Sequence, residues 1–189
     1  MARFLDTGAY LWSKALGGGG IDVGHAVAVD STGNVTVTGA FRGTANFGGT
    51  DLTAAGGYDI FVARFDADGV HMWSKRYGGA GDDVARGLAA DSVGGIVVTG
   101  GFQSAIDFGG DALTSAAGKD VFIASLTAGG GHVWSRSFGA SSVDHGHGVA
   151  VDSAGRVVVA GSISDATDFG GGPVGGNGNF DGFVASFSP

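Results

Sequence analysis

Trp12, Trp73 and Trp134 stand 61 residues apart. The same spacing relates Asp30, Asp91 and Asp152, then Phe47, Phe108 and Phe169, then Asp59, Asp120 and Asp181. After Met1 the chain of 189 residues divides into units 2–62, 63–123 and 124–184, followed by ASFSP, and no insertion or deletion breaks the register. A fixed period of this length restricts a chain to a solenoid, a propeller or an array, because one unit cannot bury its apolar face alone.

Each unit predicts four strands. HAVAVD, RGLAAD and HGVAVD read as a first strand, a, leading into an Asp-Ser-x-Gly turn at Asp30 to Gly33, Asp91 to Gly94 and Asp152 to Gly155. Asp can accept backbone N–H groups two residues on, and Gly tolerates positive φ. NVTVTGAF, GIVVTGGF and RVVVAGSI form strand b. A Gly-rich stretch separates it from strand c, DIFVARF, DVFIASL and DGFVASF. Second turns, such as Asp66-Ala67-Asp68-Gly69, lead to strand d, YLWSKAL, HMWSKRY and HVWSRSF. Apolar residues fall on both faces of strands b and c, so each sheet needs cover on both sides. Composition agrees with an all-β chain. Gly is 40 of 189 without a collagen period, and all 18 acids are Asp, a turn residue, with no helix-favouring Glu. Four hairpin-connected strands per unit match one blade of a β-propeller. A β-solenoid is the weaker alternative, since its coils are usually shorter.

The run GGAGDDVARGLAADSVGGIVVTGGF, with equivalents at Gly17 to Phe41 and Gly139 to Ile163, resembles the SBBP-type β-propeller repeat, a cousin of the NHL repeat. The resemblance covers essentially the whole chain. It implies a propeller fold and an extracellular or cell-surface location, and it brings no catalytic residues. Propellers of this family usually hold more than three repeats in one chain.

Three blades should not close, because propellers have about four to eight and a ring of three would splay its blades too far for native packing density. An open arc would leave two apolar sheet faces in water. The first strand d lies at the N-terminus, and the last blade lacks one, a velcro-type permutation. The expectation is therefore a homo-oligomer, with a six-bladed dimer favoured over a nine-bladed trimer.

The net charge of −8 and the absence of a basic stripe argue against a nucleic-acid partner. Cys is 0, which excludes disulfides and thiolate chemistry. No apolar stretch approaches the length of a membrane helix, and MARFLDTGAY lacks the pattern of a signal peptide.

Strand alternation puts the d–a and b–c connections at one end of every blade, the end where function is expected. Asp22, Asp83 and Asp144 precede strand a there, Asn46, Asp107 and Asp168 precede Phe-Gly-Gly, and Asp59, Asp120 and Asp181 open strand c. With Asp51, Asp82, Asp111 and Asp165 this end carries most of the acids, an acidic loop face. Asp22, Asp83 and Asp144 are read first as loop ties; as metal ligands they would suit Ca2+. No other cofactor is expected. The Trp series is read as packing between blades rather than a sugar-stacking ring. Phe47, Phe108 and Phe169 either anchor the b–c loop or meet a ligand. His25, Arg86 and His147 occupy one repeat position but differ in type, and so are either neutral surface or ligand contacts at a channel mouth. His145 and His147 are a weak transition-metal pair. No P-loop or G-x-S-x-G elbow is present. The leading expectation is a non-enzymatic scaffold or binding module that takes a protein or glycan. One alternative is a hydrolase or lyase acting at the channel mouth with His, Arg and Asp. The other is an engineered or excised propeller fragment without a ligand.

Overall fold

A computed structural model describes residues 1–176 and 179–188. Among them there is no helix, and all paired strands of the sheets run antiparallel. The first sheet orders its strands Asp22–Val29, Val35–Phe41, Asp59–Phe65, His71–Tyr77. The second repeats that order with Val84–Ala90, Ile96–Phe102, Asp120–Leu126, His132–Phe138. The third holds three strands, His145–Val151, Val157–Ile163 and Asp181–Phe187. The four-strand reading of each unit is thus met twice in full. The remaining strand d, Tyr10–Ser13, pairs with the short Ala2–Phe4 strand in a separate hairpin.

The Asp-Ser-x-Gly turns form as their chemistry demands. Asp30 Oδ1 accepts the N–H of Thr32 at 2.8 Å and of Asn34 at 3.0 Å. Asp91 and Asp152 do the same to Val93 and Gly95, and to Ala154 and Arg156. Gly33, Gly94 and Gly155 sit at φ of 85°, 84° and 79°, where a side chain would be strained.

Strands b and c carry the core. Every residue of Val35–Phe41, Asp59–Phe65 and Ile96–Phe102 is buried. One cluster joins Ile60 and Val62 of the first sheet to Leu88, Val98 and Phe122 of the second. Another joins Val97, Val121 and Ile123 of the second to Val159, Ile163 and Phe183 of the third. A third cluster packs Val35, Phe41, Phe61 and Phe65 under Met1, Trp12 and Leu16 of the N-terminal hairpin. Consecutive sheets therefore face one another, which explains apolar residues on both sides of one strand.

The Gly-rich b–c stretch is more ordered than composition suggests. It folds into a small hairpin in each unit, with Thr44–Asn46 on Leu52–Thr53, Ala105–Ile106 on Leu113–Thr114, and Thr167–Asp168 on Pro173–Val174. Strands of two or three residues among glycines leave no periodicity to read.

Candidate functional site

The loop end of the sheets is held together by the recurring Asp residues. Asp83 is fully buried; its Oδ2 accepts Gly79 N–H at 2.8 Å and its Oδ1 accepts Gln103 N–H at 3.0 Å. Asp144 repeats this with Ala140 N–H at 3.2 Å and Ser164 N–H at 2.8 Å. Asp22 accepts Gly18 N–H at 2.6 Å. Each Asp thus pins the d–a loop four residues back, and in the second and third units it also pins the start of the b–c loop. Asp83 and Asp144 each direct both carboxylate oxygens at N–H donors, as loop ties do, whereas Asp22 Oδ1 is buried with no hydrogen-bond partner among the described residues. Among the described residues no three His or Asp side chains are grouped to hold a metal.

The opening Asp of strand c lies beside the next unit's tie. Asp59 accepts Ala55 N–H and pairs with Arg76, while Asp120 accepts Ala116 N–H at 2.9 Å. Burial pushes the Asp83, Asp120 and Asp144 carboxyls above the usual range; Asp59 adds to this at Asp83, and Asp144 at Asp120. With Asp59, Asp83, Asp120 and Asp144 inside the protein, the acidic loop face shrinks to exposed side chains such as Asp51, Asp107, Asp111 and Asp168.

Phe47 and Phe108 are buried and Phe169 is half-buried. Each ring packs on the Phe of strand c in its own unit, with centroids 4.1 Å apart for Phe47–Phe61, 5.0 Å for Phe108–Phe122 and 4.5 Å for Phe169–Phe183. Of the two readings offered for these residues, Phe47 and Phe108 fit loop anchors with almost no accessible face, while Phe169 keeps part of its ring exposed.

At the opposite end, Trp12 Nε1 donates to Ala67 O at 3.0 Å and Trp73 Nε1 to Ala128 O at 2.9 Å, each reaching the c–d turn of the next unit. Arg64 donates to Gly94 O at 2.7 Å and pairs with Asp30, both side chains being almost wholly buried. These contacts tie neighbouring units together.

The position shared by His25, Arg86 and His147 is the bulge of strand a. The register runs Gly24↔Gly39 then Ala26↔Thr38, Ala85↔Gly100 then Gly87↔Thr99, and Gly146↔Gly161 then Gly148↔Ala160. The residue left without a partner is His25, Arg86 or His147. A bulge frees one side chain from the sheet's alternation and re-aims it. Glycines beside all three were the signal that sequence reading passed over. Strands Asp22–Val29 and His145–Val151 both contact Val84–Ala90, which puts Arg86 between the other two bulges. Arg86 acts electrostatically on His25, His145 and His147.

Burial first, then Arg86, holds His25 and His147 below the ordinary imidazole value. Burial, with Arg86, Lys119 and His147, brings His145 down to about 4. The His145 and His147 rings lie 5.9 Å apart. His147 Nε2 is 3.1 Å from Ser162 Oγ, and among the described residues no carboxylate bonds either imidazole. A Ser–His pair without an orienting acid is an incomplete hydrolytic set.

No protein-family model matches the chain, and no curated protein matches it either.

Proposed function

We propose that this protein is a non-enzymatic, self-assembling β-propeller scaffold of the SBBP type, in which two copies join their open faces into a six-bladed ring. The loop end, with its exposed Asp51, Asp107, Asp111 and Asp168, is the surface offered to a protein or glycan outside the cell.

One observation carries the assembly: repeat-equivalent residues differ sharply in exposure. On the outward face of the third sheet Val184 is 75% exposed, whereas its equivalents Val62 and Ile123 are at 0%. On the first sheet Val27 is 59% exposed, against 9% for Leu88. Val23, Val27 and Val29 line a groove of about 710 Å3 beside Met1, Trp12 and Phe61. These open surfaces are the two halves of the contact that the chain already makes twice between its own sheets. They are complementary by repetition, which singles out a second copy as the occupant. Soluble monomers rarely carry such apolar areas, and closing both would bury roughly 2,000 Å2 or more. Sedimentation or light scattering tests this. A species of twice 18.5 kDa is expected, and a stable monomer would defeat the reading.

A further inference from the structure

The bulge residues of three strands are all basic, and the middle one, Arg86, lies near enough to act electrostatically on both His25 and His147. Arg86 makes no hydrogen bond or ion pair among the described residues, and its Nε is buried without an acceptor. Other arginines of the chain are satisfied: Arg64 by Asp30 and Gly94, Arg76 by Asp59, and Arg156 by Asp152. The nearby His145 Nδ1 is likewise buried and unpartnered. Lys119 adds a further positive charge near His145, although it also lies 3.8 Å from Asp82. The charges acting on His25, His145 and His147 are all positive. In a chain of net charge −8, the Arg86 guanidinium stands beside imidazoles that favour their neutral form and has no ion pair among the described residues.

The backbone makes room for it. Gly87 and Gly148 follow the bulges of the second and third units, and a Cβ at Gly87 would come within 3.0 Å of Gly148 Cα. The approach depends on Gly87, whose added Cβ would also meet Thr99 Cγ2 at 2.8 Å, whereas a Cβ at Gly148 would meet nothing within 4 Å. That approach holds Arg86 beside His145 and His147.

We propose that Arg86, His25 and His147, with His145 behind them, form a binding site for an oxyanion, the phosphate or carboxylate group of a small molecule. A guanidinium presents a planar fork of donors that matches either group, and imidazole N–H groups supply further donors. A buried Nε without an acceptor carries a desolvation cost that an anion's oxygen removes. All four residues belong to one chain; His25 also borders the groove assigned to the second copy, whereas Arg86, His145 and His147 do not.

The test is calorimetric titration of the full chain at low ionic strength with inorganic phosphate and, separately, acetate, each against sodium chloride of matched ionic strength. Saturable binding of at least one oxyanion is expected, and the tighter of the two names the source. Arg86→Gln should weaken it by about tenfold or more. Arg42→Gln, which removes an exposed arginine outside the cluster, should leave it unchanged. If Arg86→Gln loses its β-sheet circular dichroism, His147→Asn is read in its place with a measurable loss expected. Absence of saturation by both anions, full affinity in the folded variant, or equal loss in Arg42→Gln would overturn the site.

Discussion

Val184→Asp separates a covered face from a bare one. In the single chain Val184 is 75% exposed, so a carboxylate there changes folding by no more than about 0.5 kcal/mol. In a ring the same side chain would occupy the place of Ile123 and Val62, both at 0%. Losing the remaining valine burial then costs about 1–2 kcal/mol, and leaving a carboxylate unpaired in that interface costs several more. Taking about 3 kcal/mol per face as the lower bound gives a loss of roughly a hundredfold. A two-fold ring has two such faces, which raises the loss to about 10^4. Sedimentation velocity at micromolar concentration should show wild type at twice 18.5 kDa and Val184→Asp near 18.5 kDa, with identical circular dichroism. Ile123→Asp is the contrasting case and should unfold the chain. A Val184→Asp variant with wild-type mass, or a wild-type monomer, would refute the reasoning.

Asp83→Ala strips the acceptor from Gly79 and Gln103 N–H groups at a buried site; at about 1–3 kcal/mol per orphaned donor, thermal unfolding should fall by about 5–20 °C. Asp120→Asn removes a carboxyl whose folded value is raised by burial and by Asp144. Wild type therefore loses stability as the pH rises from the ordinary Asp value through the raised one, and the variant should lack that decline in pH-resolved denaturant melts. Asp30 behaves oppositely. Burial works against its charge, yet the Thr32 and Asn34 side chains and N–H groups hold it down to about 2. Its contribution is present above the ordinary Asp value and disappears as the pH falls to about 2, so Asp30→Asn should differ from wild type at neutral pH and converge with it in acid.

The sequence alone determined the repeat, the strand order and the turns. A 61-residue period and Asp-Ser-x-Gly are local patterns, and their hydrogen bonds close within a few residues of Asp30, Asp91 and Asp152. It also marked Asp83 and Asp144 as loop ties before any coordinates. The b–c hairpins escaped notice because short strands among glycines have no apolar alternation.

What tertiary structure alone decided was which side chains are reachable and which groups meet. Phe47 looks like a surface residue of a Gly-rich loop and Asp59 like an exposed acid at the start of strand c, yet both are at 0% exposure. His25, Arg86 and His147 sit 61 residues apart in the chain and come together only because three bulged strands lie side by side. Periodicity fixes how a unit folds on itself; burial and electrostatic proximity depend on how far units approach through space, and that distance is written in no single segment.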